Sequence, residues 1–175
     1  SELGSFLADS LRAMSKSDIA LMNPGGLRAD LKEGPLTYGG VYEVIPFDNA
    51  VAVLDLTGEQ LDRLLTAAFG SKKGVFQVSG LEVKLSRCVV PDRLRGFTLP
   101  GGKKWDPAKK YKVALPDFLA RGGDGLAPVL ATIDPAQVDL AENKGTNLRD
   151  DLISWWQTRK ETFKPPKGGR VTFVD

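Results

Sequence analysis

The sequence predicts an α+β fold, a single domain with a mixed β-sheet and flanking helices, on three observations. At 175 residues with 42% hydrophobic content, the chain can bury one full core. Segments with helical apolar spacing alternate with short runs rich in Val, Leu and Ile. Two of those runs end in glycine-rich loops, Asn23 to Arg28 and Pro116 to Gly125. Loops at strand ends are common places for a ligand site.

Leu3, Phe6, Leu7, Leu11 and Met14 recur at helical spacing and predict an amphipathic first helix. Asp18 to Met22 reads as a short buried strand, and Pro24 then denies helix at Asn23. Tyr38 to Val44 reads as a short helix before a loop at Pro46, and Ala50 to Leu56 as a strand. Thr57-Gly-Glu-Gln60 is a capping box, with Leu56 and Leu61 at the staple positions and a helix running to Gly70.

Phe76 to Leu85 is expected to be one strand interrupted at Gly80 by a bulge. Gly96 to Leu99 with Gly101-Gly102 suggests a hairpin, and Trp105-Asp106-Pro107 a turn. Tyr111 to Leu115 is a strand that delivers the loop beginning at Pro116, whereas Leu126 to Asn143 is only weakly periodic. Thr146 or Asn147 can cap a last helix whose apolar stripe is Leu148, Leu152, Trp155 and Trp156, with both tryptophans read as core. Asp150 and Asp151 in its first turn and Arg159-Lys160 in its last suit the macrodipole. The glycines and prolines of 164–169 break that helix, and Arg170 to Val174 closes with a strand.

Composition excludes much chemistry. Histidine is absent, which removes Ser-His-Asp and Cys-His nucleophile systems and His-ligated metals. The single Cys88, flanked by Val89 and Val90, reads as a buried small hydrophobe. Twenty-four basic against 22 acidic residues give a net charge of +2, too little to hold the chain on nucleic acid by charge alone. No apolar run approaches the roughly 20 residues of a membrane span. The chain opens at Ser1 already inside a helical pattern, without a signal peptide, which suggests an excised domain.

Three segments share one design: the 23–28 loop, Pro46-Phe47, and Phe118 to Asp124. Each sets recognition chemistry at the end of a regular element. Phe47 and Phe118 can stack a planar base from both faces, and Asp124 can accept both hydroxyls of a ribose. Asn23 can hydrogen-bond a base edge, and Arg28 can pair with phosphate. Gly26, Gly122 and Gly123 let the backbone approach a ligand closely. The alternative for the last segment is a tight turn, with its glycines at positive φ and Asp124 capping its own backbone. No nucleophile or metal-ligand set accompanies these residues, so the constellation binds and does not cleave.

These residues resemble a known family. The runs Asn23-Pro-Gly-Gly-Leu-Arg-Ala-Asp30, Thr37-Tyr38, Val41 to Asn49, Leu56 to Leu61, Gln77-Val-Ser-Gly80 and Asp117 to Gly125 look like the C-terminal domain of 5′-nucleotidases, in the family's order. The resemblance implies the substrate-specificity domain of a two-domain periplasmic, secreted or cell-surface enzyme of nucleotide catabolism. It places the base-stacking phenylalanines at Phe47 and Phe118, the ribose carboxylate at Asp124, the base-contacting asparagine at Asn23 and a phosphate-contacting arginine at Arg28. Hydrolysis would belong to an N-terminal metallophosphoesterase domain absent from this chain. That domain would hold two divalent metal ions, and this chain would hold no cofactor and be inactive alone.

The family pattern has Gly-Asn in the first helix where this chain has Gly4-Ser5. A second phosphate-contacting arginine of some members would fall before Ser1. Phosphate should therefore be held less well than base and ribose. UDP-sugar hydrolases and 2′,3′-cyclic-nucleotide phosphodiesterases share the motifs and stand as alternatives to a nucleotidase acting on AMP-like substrates. Two rivals remain: a single-stranded nucleic-acid reader using Lys103, Lys104, Lys109 and Lys110, and a scaffold module without a ligand.

Overall fold

The computed structural model describes residues 1–70, 74–87, 93–140, 146–159, 162–164, 166 and 168–174. In chain order the elements are α1 (Glu2–Met14), β1 (Ile19–Met22), α2 (Tyr38–Val44), β2 (Val51–Thr57), α3 (Gly58–Gly70), β3 (Gln77–Ser79) and β4 (Glu82–Leu85). There follow β5 (Leu94–Thr98), β6 (Lys110–Pro116), α4 (Asp117–Ala120), α5 (Ala127–Leu130), β7 (Val138–Asp139), α6 (Leu148–Gln157) and β8 (Val171–Phe173).

The main sheet is mixed and five-stranded, in the order β3-β1-β6-β2-β7. β1 lies parallel to β6, and its other pairings are antiparallel. Alternation of side chains across the pleat divides the core between its two faces. Ile19, Leu21, Ala52, Leu54, Leu56, Val113 and Leu115 point to one face, where Leu61, Leu64, Leu65 and Phe69 of α3 cover them. Ala20, Met22, Val51 and Ala114 point to the other, against Leu7 and Leu11 of α1, Val41 and Val44 of α2, and Leu148, Leu152 and Trp156 of α6. The single α+β domain with a mixed sheet and flanking helices is therefore the fold.

A second sheet, three-stranded with order β5-β4-β8, packs Val83, Leu85 and Phe97 onto the α3 side. This corrects the reading of Phe76 to Leu85 as one bulged strand. β3 pairs with β1 in the main sheet, while β4 pairs with β5 and β8 in the small one. Gly80 makes the change of sheet at φ 78°, and a Cβ there would run into the Asp18 carbonyl oxygen.

Local capping follows the sequence. The Gln60 amide donates to Thr57 Oγ1 at 3.2 Å and Gln60 Oε1 accepts from the Thr57 amide at 2.8 Å, closing the capping box. Asn147, not Thr146, caps α6, its Oδ1 accepting from the Asp150 amide at 2.9 Å. α6 ends at Gln157, so Arg159 lies beyond its last turn and places its guanidinium 4.4 Å from the Trp155 ring centre. Lys160 lies outside the described residues, as do Cys88 and its valine neighbours. Trp156 is core: its indole N–H donates to Ser10 Oγ at 2.9 Å in the buried interior. The hairpin expected at Gly101-Gly102 is a small one, closed by a Leu99–Lys103 bridge. The weakly periodic 126–140 stretch holds α5, a 3₁₀ turn at Pro135–Gln137 and β7, too short for any of the three to set a period.

Candidate functional site

The topology delivers all three recognition segments to one edge of the main sheet. β1 and β6 run parallel, so Asn23 and Phe118 both follow carboxyl ends at that edge. β2 runs antiparallel to β6, so its beginning meets the end of β6, with Val51 paired to Pro116. Two further bonds extend this ladder. The Asp117 amide donates to the Ala50 carbonyl, and Asp117 Oδ1 accepts from the Ala50 amide, both at 2.9 Å. Phe47, three residues before Ala50, and Phe118, one after Asp117, are thereby held at the same end.

Both rings are exposed, Phe47 at 43% and Phe118 at 45% of their surface, although the chain had core to hide them in. Behind Phe118 the backbone is shaped to fit it. A Cβ on Gly123 would overlap the Phe118 ring, so only glycine lets the ring lie on this loop. Gly122 turns the chain at φ 96°, and a Cβ there would come within 2.8 Å of the Ala127 Cβ.

Asp124 sits at φ 53° and ψ 28°, a left-handed conformation that Asp adopts more readily than most residues. The loop is thus a tight turn that carries the exposed Phe118 ring. The half-buried carboxylate of Asp124 accepts from Asn23 Nδ2 at 2.8 Å. Asn23 is only 5% exposed, and its Oδ1 is buried with no hydrogen-bond partner among the described residues. A buried acceptor left unpaired costs about 1–3 kcal/mol. Gly26 makes room for it, since a Cβ there would stand 3.0 Å from Oδ1.

The Arg28 amide donates to the Val44 carbonyl at 2.9 Å, tying the 23–28 loop to the end of α2. Its exposed guanidinium makes only a long 3.5 Å bond to the Gly25 carbonyl. A crevice of about 10 Å³, room for about one water molecule, lies among Asn23, Gly26, Phe47, Asn49, Pro116 and Arg149. A far larger groove of about 1010 Å³ runs past Leu3, Phe6, Leu36 and Phe163, but none of the recognition residues lines it.

Arg149, which the sequence reading did not single out, borders this site. It is 3% exposed and reaches from the start of α6 into the Phe47 segment. Burial alone would lower its pKa, but hydrogen bonds to Asp48 and Tyr38 outweigh burial and raise it above the usual arginine value. One signal was available: a cation in the first turn of a helix opposes the macrodipole and calls for a specific partner.

Among the described residues no group of three or more Asp, Glu or Cys side chains could hold a metal ion, and no helix is long and apolar enough to cross a membrane.

Comparison with known proteins shows the family and the fold. The family profile described as 5′-nucleotidase, C-terminal domain matches residues 1–132. A 5′-nucleotidase of Vibrio cholerae is 33% identical over 153 residues, covering 86% of this chain and 26% of the relative. A cell wall protein of Listeria monocytogenes is 32% identical over 155 residues, covering 77% of this chain and 20% of the relative. The crystal structure of a 5′-nucleotidase precursor from Thermus thermophilus superposes with a TM-score of 0.83 at 26% identity, over 99% of this chain and 35% of that one. The chain spans between 9% and 26% of the length of the curated relatives it matches. With three quarters of its residues inside the family profile and the family's fold throughout, the chain belongs to the 5′-nucleotidase C-terminal domain family.

Proposed function

We propose that this domain binds the nucleoside part of a nucleotide and presents its phosphate to a metal centre carried by a separate domain. The observation that supports this most directly is the pair of exposed phenylalanines at one sheet edge, beside a carboxylate held in a left-handed turn. A base stacks between Phe47 and Phe118, each face contributing about 1–3 kcal/mol. Asp124 accepts the ribose hydroxyls. Asn23, whose amide is oriented by Asp124, contacts the base edge when ligand binding uncovers its buried Oδ1, and the exposed Arg28 guanidinium takes the phosphate. Gly26, Gly122 and Gly123 serve by leaving space for Asn23, the turn and the Phe118 ring. Because the crevice behind Phe47 is water-sized, the base lies across the rings and not inside it.

Hydrolysis would then belong to a metallophosphoesterase domain, whose two divalent ions would supply an activated water. The short share of each relative that this chain covers is consistent with such a partner domain. An AMP-like 5′-nucleotide is the favoured substrate, with UDP-sugars and cyclic nucleotides as alternatives using the same cleft. Likeness to a protein named for the cell wall favours work outside the cytoplasm, in the periplasm, in secretion or at the cell surface.

Calorimetric titration of the purified chain with adenosine tests the reading. Binding should be measurable, and should weaken at least tenfold in Phe118→Ala and in Asp124→Asn while both variants stay folded, an order of magnitude expected for one lost stack or charged hydrogen bond. Unchanged affinity in both folded variants would refute it. AMP turnover by the chain supplied only with divalent metal would refute the division of labour. Steeply salt-dependent binding of oligonucleotides without competition by adenosine would favour a nucleic-acid reader.

A further inference from the structure

We propose that Arg149 is a positioning residue for Phe47, so that a helix outside the matched family region sets the pose of one stacking ring. The inference rests on the nucleoside reading above for its functional meaning, but its geometry is independent of any ligand. Arg149 stands on α6, beyond the 1–132 stretch that the family profile covers. Its Nη1 donates to the Ile45 carbonyl at 3.2 Å and to the Phe47 carbonyl at 3.4 Å, and its Nη2 to Asp48 Oδ1 at 2.8 Å. The next bond along comes from α6 itself, the Leu148 amide donating to the Asn49 carbonyl at 2.6 Å. Residues 45, 47, 48 and 49 are thus each tied to the first turn of α6, and residue 50 to Asp117.

Phe47 is 43% exposed, so its orientation depends heavily on the backbone that carries it. The fork of the guanidinium is what allows one side chain to reach two carbonyls and a carboxylate together. The same group lies 4.7 Å from the Tyr42 ring centre and 5.7 Å from that of Tyr38, and Nε donates to Tyr38 Oη at 3.4 Å. The charge is therefore matched on every side: Asp48 and Asp150 as counter-charges, two carbonyls, and two tyrosine faces from α2. A cation this deeply buried, at a helix end that disfavours it, is costly in isolation and is retained here by the contacts it makes to the Phe47 segment.

The test is a double-substitution cycle on the whole chain with adenosine as probe, together with hydrogen exchange of the free protein read by mass spectrometry. Arg149→Lys keeps the charge and loses the fork. Amide exchange of peptides covering 45–50 and the start of α6, where the Ile45, Ala50 and Leu148 amides are hydrogen-bonded, should accelerate about tenfold while peptides from β6 stay unchanged, as for a local opening. Adenosine affinity should fall about tenfold in Arg149→Lys, yet by less than about twofold when the same change is made on Phe47→Ala, because the two act through one ring. Unchanged exchange at 45–50 and at the start of α6, or equal losses in both backgrounds, would overturn the proposal. Should the wild-type chain fail to bind adenosine, the nucleoside reading falls, and the exchange measurement alone decides whether Arg149 holds Phe47. If Arg149→Lys does not fold, Asp48→Ala replaces it. Asp48 is an exposed partner, and its loss should accelerate the same segment to a smaller extent.

Discussion

Asn23 and Asp124 meet at 2.8 Å across 101 residues of chain, joining the end of β1 to the loop that follows β6. The bond fixes which atom of each side chain is free. Asn23 spends one Nδ2–H on Asp124 and keeps a buried acceptor unpaired among the described residues. Replacing Asn23 by Leu removes the hydrogen bond and also the orphaned oxygen, two changes of about 1–3 kcal/mol and opposite sign. Asn23→Leu should therefore change stability by less than about 1 kcal/mol while abolishing adenosine binding. Urea unfolding and calorimetry on the same preparation check this, and a loss of several kcal/mol would mean that Asn23 is structural.

Gly123 lies directly under Phe118. Gly123→Ala places a methyl group where the ring now rests, so the ring must swing away. Adenosine affinity should fall at least about tenfold, a cost within the range of one base–aromatic stack. The Phe118 ring resonances should shift by NMR while the resonances of β1 and β2 stay put.

Arg170 binds Asp9 through both nitrogens, at 2.8 and 2.7 Å, and Nη1 also donates to the Val78 carbonyl at 3.1 Å. It thereby pins the small sheet, through β8, to α1 and β3. Arg170→Lys cannot reproduce this fork and should destabilise by about 1 kcal/mol, a discounted figure because both side chains are partly exposed. For a chain of this length a loss of that size lowers Tm by about 2–4 °C, readable by calorimetry, with adenosine binding unaffected.

Thr57→Ala opens the capping box at the start of α3 and should cost about 1 kcal/mol. The loss should appear in urea unfolding as a lower midpoint with an unchanged slope. No change in ligand affinity is expected, since α3 lies on the sheet face opposite to α2 and α6.

Much of this was legible along the chain because the signals are local. The capping box at Thr57, the span of α2 and the helical stripe from Leu148 to Trp156 each depend on residues within a few positions of one another. The glycine-rich loops at the ends of β1 and β6 were legible because glycine clusters mark turns within a few residues, whereas the exposure of Phe47 and Phe118 was not. β7 was missed because two residues carry no period. The split at Gly80 was missed because a bulge and a change of sheet both require the same permissive residue.

The sequence by itself determined most of the helices and strands, the fold class, the family motifs and the absence of histidine chemistry. Only the tertiary structure decided that β1, β2 and β6 bring Asn23, Phe47, Phe118 and Asp124 to one sheet edge, that Asn23 is spent on Asp124, and that Arg149 holds the Phe47 segment. The reason is range: helix caps and apolar periods are written within one or two turns, whereas these contacts join residues from 65 to 102 positions apart, so the partner is chosen by strand pairing and not by spacing.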